Sequence, residues 1–190
     1  MAYDVLEGSD PFKGPSFSLK SRIRRGIWGI VCALFFRPTP KPLGQWRVFL
    51  LRSFGARMGS GCNVHQSVKI WAPWNLEMGD EATLAERVVC YSMATVKLGK
   101  KAVVSQGSHL CAGTHDYTDP SFPLKAKPIS IGEEAWVCAD AFVGPGVTVG
   151  DGAVLGARGV ATKDVAAWTV WAGNPAKYIK DRVVKGAKNS

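Results

Sequence analysis

Apolar residues recur at every sixth position through most of this 190-residue chain. The step lengthens to eight between the first groups of three, as from Ile70 to Met78 and from Cys90 to Leu98. The positions that keep this count are all apolar: Met58, Val64, Ile70, Met78, Leu84, Cys90, Leu98, Val104, Leu110, Ile131, Val137, Val143, Val149, Leu155 and Ala161. This repeat predicts a parallel β-helix, because one short strand buries its inner face only when copies of itself stack on it.

The spacing also predicts the shape of each coil. Three short strands with two extra residues at one corner give a triangular prism, and fifteen strands give about five coils. Residues about 18 to 20 apart then stack on one face, and residues six apart lie on neighbouring faces. Glycines in VGPGVTVGDGAVLGARG (residues 143–159) fall at the predicted corners, where tight turns favour a residue without Cβ. We therefore expect an all-β domain over residues 56–172.

Residues 1–55 lack this period and form a basic, aromatic segment that we expect to be helical. The segment contains an eleven-residue apolar run, Gly26 to Phe36, flanked by arginines. A helix needs about 20 apolar residues to span a bilayer, so this run is too short to cross one. Two interpretations stay open. The helix packs on the domain or on a neighbouring subunit, or it lies in the membrane interface with arginines on lipid headgroups, which predicts peripheral contact through residues 20–55.

The net charge of +9 is unevenly distributed along the chain. Between Pro11 and Leu76 there are eleven Lys or Arg and no Asp or Glu. Such a surface suits nucleic acid, anionic lipid or phosphate-bearing substrates. The chain has no recognised nucleic-acid motif, so we expect no nucleic-acid partner.

Cysteine usage and the first residues predict the compartment. The five cysteines are scattered without a CxxC pair, which favours a reducing compartment over a disulfide framework or a zinc knuckle. The opening MAYDVLEGSDPF lacks the basic-then-apolar order of a signal peptide. We expect a cytoplasmic protein, peripheral at the inner face of the membrane if residues 20–55 bind lipid.

The six-residue period stops once, in CAGTHDYTDPSFPLKAKP (Cys111 to Pro128). An unbroken period after Leu110 would place the next core residue at position 116, whereas it falls at Ile131, so fifteen residues are inserted. We expect a protruding loop over residues 112–128, too long for a tight connection and too short for a domain. His115, one of three histidines, stands where the insertion begins. The prism would anchor this histidine, and the loop would wall a site around it.

Three stretches together resemble the hexapeptide-repeat O-acetyltransferases, which have a left-handed β-helix: LCAGTHDYTDPSFPL, PISIGEEAWVCADAFVGPGVTVGDGAVLGARGVATKDV and WAGNPAKYIKDR. The chain is most similar to the galactoside, maltose and nodulation acetyltransferase group, and within it to colanic-acid-type exopolysaccharide acetyltransferases. The resemblance covers about residues 58 to 182. It implies acetyl transfer from acetyl-CoA to a saccharide hydroxyl in exopolysaccharide or surface-glycan biosynthesis.

The resemblance implies further features. These are a left-handed coil, a homotrimer with active sites between subunits, and acetyl-CoA as co-substrate with no metal. The acceptor would be a saccharide, carried on an anionic lipid if the N-terminal segment binds membrane. Residues 173–190 would form a C-terminal segment with a short helix near residues 176–185.

By motif position, His115 would be the general base. An alcohol is a poor nucleophile until a positioned base removes its proton, and histidine suits that role near neutral pH, with a gain of about 10² to 10⁴ in rate. A backbone N–H on a neighbouring coil would stabilise the oxyanion. The resemblance places alanines beside the pantetheine arm and the other cofactor contacts at the nucleotide end: Ala139, Ala157, Thr162, Lys163, Pro175 and Lys177.

Acceptor recognition does not transfer from the resemblance. Galactoside-type enzymes carry an asparagine on the coil before the histidine, and the equivalent stretch here, LAERVVCYS, has Ala85, Glu86 and Arg87. The candidate acceptor contacts are Glu86, Asp116 and Tyr117. The competing interpretations are an exposed salt bridge for Glu86 and an ordinary turn for Asp116.

Two other functions remain open. A zinc enzyme similar to the γ-class carbonic anhydrases would use three histidines, His65, His109 and His115, with an open fourth position to activate water. His109 and His115 are six residues apart and would lie at successive corners rather than stacked, which weighs against that site. A non-catalytic β-helix scaffold would need neither the loop histidine nor the C-terminal motif.

Overall fold

The computed structural model describes residues 5–6 and 10–184 of the chain. It is a left-handed parallel β-helix of triangular cross-section, preceded by two helices. The six-residue period therefore predicts the architecture correctly, because each repeat supplies one short strand and one corner.

Each face of the prism is one parallel sheet. The first face contains β1 (Arg57–Met58), β4 (Leu76–Met78), β7 (Val96–Leu98), β12 (Ile129–Ile131) and β15 (Thr148–Val149). The second contains β2 (Asn63–Val64), β5 (Thr83–Leu84), β8 (Val103–Val104), β13 (Trp136–Val137), β16 (Val154–Leu155) and β18 (Thr169–Ala172). The third contains β3 (Lys69–Ile70), β6 (Val89–Tyr91), β9 (His109–Cys111), β14 (Phe142–Val143) and β17 (Val160–Ala161).

The strand register gives the length of each coil. Glu77 pairs with Lys97 across the first face, Lys97 pairs with Ser130, and Ser130 pairs with Thr148. The first and last of these steps match the predicted coil length, and the long middle step contains the insertion. Five coils are complete, and a sixth begins where Val165 pairs with Val149 and continues with β18 on β16. The molecule thus has about six turns where the sequence predicts about five, because the stretch after Ala161 continues the solenoid.

The inward positions form the core. Of the fifteen residues that keep the period, fourteen are buried, and only Met58 is half-buried. Met58 belongs to the first coil, which has a neighbouring coil on one side only.

The N-terminal segment closes the open end of the prism. It consists of α1 (Leu19–Val31), a π-helical turn (Cys32–Phe36), a 3-10 turn (Lys41–Leu43) and α2 (Gly44–Ser53), and a further 3-10 turn (Pro73–Asn75) follows β3. Within the described residues, no preceding coil pairs with the first coil. Instead, a side chain of the N-terminal segment donates a hydrogen bond to a carbonyl oxygen on each of the three strands of this coil. The donors are Arg52 to Met58 at 2.8 Å, Arg47 to Val64 at 2.7 Å and Trp28 to Ile70 at 2.9 Å. The segment therefore satisfies a sheet edge that would otherwise be open.

The C-terminal prediction needs a correction. Where a short helix was expected near residues 176–185, the chain forms β19 (Lys177–Asp181), which pairs antiparallel with β18. The outer edge of β18 has no further coil to pair with, and a strand satisfies its backbone groups whereas a helix does not. The rest of the expected tail, residues 185–190, lies outside the described residues.

Candidate functional site

The protruding loop predicted over residues 112–128 forms a β-hairpin. Its strands are β10 (Gly113–His115) and β11 (Leu124–Ala126), with His115 opposite Leu124. Hydrogen bonds extend the ladder at both ends, from the Asp116 N–H to the Pro123 oxygen and from the Lys127 N–H to the Ala112 oxygen, each 2.9 Å. The hairpin leaves the prism directly after β9, at the corner between the third and first faces. His115 therefore stands on a paired strand tied to the rigid solenoid.

Phe122 fixes the imidazole ring of His115 from across the hairpin. The Nδ1 atom of His115 lies 2.9 Å from the Phe122 carbonyl oxygen. The two rings also stack, with centroids 4.3 Å apart and planes 12° apart. Because a carbonyl oxygen can only accept, this hydrogen bond places the proton on Nδ1. The neutral ring then carries its lone pair on Nε2, the atom that a general base needs.

The contact between Phe122 and His115 was not predicted from the sequence. Its backbone has a φ of 49°, in the left-handed region that residues other than glycine rarely adopt. The Phe122 N–H donates to the Asp119 oxygen at 2.8 Å, and this turn brings its carbonyl back toward His115. The sequence PSFPL does not predict this conformation, because the conformation depends on strand pairing between residues nine positions apart, His115 and Leu124.

The carboxylates near His115 accept hydrogen bonds within the turn of the hairpin. One oxygen of Asp116 accepts from the Thr118 backbone at 3.1 Å and from its hydroxyl at 2.6 Å. These bonds from Thr118 hold the pKa of Asp116 below its usual value. Asp119 binds Ser121 in the same way. Tyr117, at the tip, is 86% exposed.

A column of corner residues runs along the opposite edge of the third face. It contains Glu86, Gln106, Ala139 and Ala157, one from each successive coil. Backbone hydrogen bonds of 2.9 Å join neighbouring turns, from Gly107 to Glu86, from Asp140 to Gln106 and from Arg158 to Ala139. Glu86 forms an exposed ion pair with Arg87 at 3.4 Å. Within one chain, Glu86 and the two alanines are thus brought together with one another but not with His115.

The remaining predicted cofactor residues divide between the two edges. Thr162 and Lys163 follow β17, on the same edge as the hairpin but two coils further on, and both are exposed. Pro175 and Lys177 are also exposed, beside the column of alanines. There, the Val160 N–H donates to Gly173 at 2.9 Å and the Ala176 N–H donates to Val160 at 2.8 Å.

The histidines of the zinc alternative have separate surroundings. His65 lies 2.8 Å from the Ser67 hydroxyl, and His109 packs edge-on against Phe142. Within residues 5–6 and 10–184, no group of three potential ligands is close enough to hold a metal ion.

The buried cysteines are poor nucleophiles. Burial raises the pKa of Cys90 to about 12 and also raises the pKa of Cys62 and of Cys138. Because the thiolate is the reactive form, these side chains remain unreactive thiols near neutral pH.

No family model matches the chain. Comparison with curated proteins finds a protein of Escherichia coli K12 named "Putative colanic acid biosynthesis acetyltransferase WcaF". The two are 44% identical over 161 residues, which cover 85% of this chain and 88% of WcaF.

Two solved structures share the fold. A maltose O-acetyltransferase from Clostridium difficile 630 aligns with a TM-score of 0.79 and 23% identity, over 88% of this chain and 90% of its own. The hexapeptide-repeat acetyltransferase VCA0836 of Vibrio cholerae, solved with acetyl coenzyme A, aligns with a TM-score of 0.79 and 22% identity. That alignment covers 93% of this chain and 100% of the Vibrio chain.

Proposed function

This chain belongs to the hexapeptide-repeat acetyltransferases, and from that premise we propose that it transfers the acetyl group of acetyl-CoA to a saccharide hydroxyl. The acceptor would belong to exopolysaccharide or surface-glycan biosynthesis. The observation that carries the proposal is the 2.9 Å contact between His115 Nδ1 and the Phe122 carbonyl, because it leaves Nε2 as a base on a protruding hairpin.

His115 acts on the acceptor hydroxyl. Acetyl-CoA supplies an acyl group activated as a thioester. Nε2 accepts the hydroxyl proton as the acceptor oxygen attacks the thioester carbonyl carbon, so no free alkoxide forms. The Phe122 carbonyl stabilises the imidazolium that results, because its partial negative charge faces the protonated ring. The same imidazolium can then return the proton to the departing thiolate.

Both edges of the third face, along the fourth to sixth coils, present groups that suit the co-substrate. Ala139 and Ala157 present methyl groups where a longer side chain would obstruct a pantetheine arm. Lys163 and Lys177 are exposed cations that can bind phosphate, and Thr162 and Pro175 lie beside them in sequence. We assign the co-substrate contacts to these six residues.

The three candidate acceptor contacts lie in two places, on the hairpin and on the opposite edge of the third face. Tyr117 is exposed at the hairpin tip, two residues from the base, and its ring is available for a sugar. The Asp116 carboxylate already bonds Thr118, so its acceptor role would use its remaining oxygen. Glu86 would reach an acceptor at His115 only from a neighbouring chain, because the two lie on opposite edges of one face. This arrangement supports the proposed homotrimer, in which one subunit's edge would meet the other edge of the next.

An exposed apolar stripe on α1 and the following π-helical turn supports peripheral membrane contact. Five apolar side chains at helical spacing are 51 to 68% exposed: Leu19, Ile23, Ile27, Ile30 and Leu34. Exposed Lys20 and Arg22 flank the stripe. A helix with an apolar face and cationic flanks binds anionic bilayers in the plane of the interface. No helix in the described residues is long and apolar enough to cross a membrane.

Vesicle sedimentation tests this contact. We expect the chain to sediment with vesicles of phosphatidylglycerol and phosphatidylcholine, and the binding to weaken as salt screens the lipid charge. The double variant Ile23→Glu/Ile27→Glu should remain in solution. Ile179→Glu/Val183→Glu is the matched control, since it alters exposed apolar residues of β19 and the tail. Equal sedimentation of both variants would contradict membrane docking by α1.

A thiol-release assay tests the activity itself. Acetyl-CoA is incubated with nucleotide sugars and with lipid-linked glycans, and CoA release is followed for the wild type. We expect release with at least one saccharide acceptor. Hydrolysis alone, with no acetylated glycan across the whole panel, would count against a saccharide acceptor.

A further inference from the structure

A cavity of about 490 Å³ lies between α1 and the first two strands of the third face, β3 and β6. Three cations line it, from three different elements: Arg25 of α1, Arg37 after the π-helical turn and Lys69 of β3. Its aromatic walls are Trp28, Trp71 and Tyr91. None of the lining residues in the described part of the chain is acidic. Three like charges around one apolar cavity make it a site for an anion.

Ring contacts order the aromatic wall before any ligand binds. The Trp71 ring lies 5.0 Å from Phe17 and 5.6 Å from Tyr91, measured between centroids. The Arg25 guanidinium lies over two of these rings, 4.3 Å from the centroid of Trp71 and 4.6 Å from that of Phe17. On the α1 side, Trp28 is held by its hydrogen bond to Ile70. The cavity therefore has a preformed wall, which lowers the entropy cost of binding.

The composition of the cavity selects a class of ligand. Guanidinium groups match phosphate oxygens with paired N–H donors, and the Lys69 ammonium adds a point charge. Aromatic rings beside these cations offer flat apolar surface to the C–H face of a sugar. A ligand that joins a phosphate or pyrophosphate to a sugar satisfies both parts.

Tyr91 connects the cavity to the hairpin that carries His115. Its ring lines the cavity and also lies against Gly113, where a Cβ would be 3.0 Å from a Tyr91 ring carbon. Gly113 is the first residue of β10, and His115 is the last. Tyr91 therefore lines the cavity and also contacts the strand that carries the candidate base.

We propose that this cavity binds the phosphate or pyrophosphate of a glycosyl phosphate acceptor and presents its sugar toward His115. The inference deepens the proposed function and rests on it. We expect the phosphate groups of the co-substrate to bind elsewhere, because the residues assigned to acetyl-CoA lie on the fourth to sixth coils. Lys69 and Tyr91 lie on the first two.

Direct binding tests the cavity without requiring turnover. Calorimetric titration of the full chain with inorganic pyrophosphate should give saturable binding. The double variant Arg37→Gln/Lys69→Gln should weaken it about tenfold or more, since two of three charges are lost. Lys97→Gln/Lys101→Gln is the control with the same charge change on other faces. Equal binding by the wild type and both variants, or no binding by the wild type, would overturn the proposal.

Competition and kinetics separate the sources of phosphate. Coenzyme A should not displace pyrophosphate, and displacement would reassign the cavity to the co-substrate. UDP-glucose and a polyprenyl-pyrophosphoryl glucose are then compared as acceptors. For the acceptor that the protein acetylates, the variant Arg37→Gln/Lys69→Gln should raise KM and leave kcat within about threefold. With a free sugar as acceptor, KM should be the same for the wild type and for Arg37→Gln/Lys69→Gln. If no acceptor is acetylated but pyrophosphate binding still needs Arg37 and Lys69, the proposed function fails and the cavity site stands.

Discussion

At the scale of single residues, Phe122 holds His115 in two ways, through its carbonyl and through its ring. A side-chain change can remove the ring and keep the carbonyl. Because the backbone of Phe122 has a φ of 49°, glycine fits this position without the strain that alanine would keep. The pair of substitutions therefore separates ring stacking from backbone strain.

We expect Phe122→Gly and Phe122→Ala to lower kcat about 3- to 10-fold, as expected for losing one ring contact. KM for acetyl-CoA should stay within about twofold, because the residues assigned to the co-substrate lie on the fourth to sixth coils and are unchanged. Steady-state kinetics with the identified acceptor measure both values. Glu134→Gly is the control, since Glu134 has a φ of 54° at a turn away from the hairpin. A wild-type kcat in both Phe122 variants would show that the ring does not orient His115.

His109 is a half-buried histidine that we expect to make the stability of the fold depend on pH. Its Nε2 is buried and has no hydrogen-bond partner among the described residues, and burial lowers the pKa of His109. A histidine whose folded-state pKa is depressed binds its proton more readily in the unfolded chain. Acidification below the unfolded-state pKa of about 6.5 therefore favours unfolding.

His109→Phe should reduce this acid sensitivity, because phenylalanine packs on Phe142 without taking up a proton. Thermal unfolding midpoints at pH 7.5 and pH 5.5 are the measurement. The fall in midpoint between the two pH values should be smaller in His109→Phe than in the wild type. His65→Phe, at a half-buried histidine of the first coil, serves as the comparison. An identical pH dependence in the wild type and His109→Phe would contradict the account.

At the scale of elements, glycines let successive coils approach at the corner after the first face. A Cβ on Gly99 would lie 2.6 Å from the backbone nitrogen of Glu133 on the next coil. The coils cannot move apart freely, because the Gly99 N–H donates to Ile131 at 2.7 Å. A Cβ on Gly26 of α1, in contrast, would meet nothing within 4 Å.

Gly99→Ala should therefore destabilise the chain by about 1 to 3 kcal/mol, the usual cost of overpacking. Gly26→Ala should stabilise it by up to about 1 kcal/mol, because alanine is the better helix former. Urea unfolding followed by far-ultraviolet circular dichroism compares the two. Similar midpoints for both variants would mean that the coils tolerate the extra methyl group.

The parts of the fold that the sequence predicts are those with a local cause. Inward residues such as Val104 and Leu155 could be predicted because every coil repeats the same inner face. The pairing of β19 with β18 and the hairpin could not, since each depends on an edge that exists only in the folded chain. His115 was predictable from the interrupted period, whereas its partner Phe122 shows no local signal. The trimer, the membrane contact and the residue roles stay predictions.

At the scale of the whole molecule, the site residues lie on two edges of one face. His115 is on one edge, and Ala139 and Ala157 are on the other. A ring of identical subunits would join these edges between neighbours, so each complete site would use two chains. The basic N-terminal segment closes the same end of every prism, and three apolar stripes would then share one side of the assembly.

Mixing two inactive variants tests this shared site. His115→Ala removes the base, and Ala157→Trp obstructs the co-substrate edge. Each homotrimer should be inactive, and unfolding and refolding the two together should restore a substantial fraction of wild-type activity. Light scattering should give the mass of a trimer for each. No recovery in refolded mixtures of trimeric mass would place the whole site within one chain.

The most direct measurement is the kcat of His115→Ala beside the wild type, with acetyl-CoA and the acceptor found by thiol release. A general base of this kind contributes about 10² to 10⁴ in rate, so kcat should fall by that factor while acetyl-CoA binding, measured by calorimetry, stays unchanged. A kcat within about threefold of the wild type would contradict the role of His115 as the general base and the proposed mechanism of acetyl transfer.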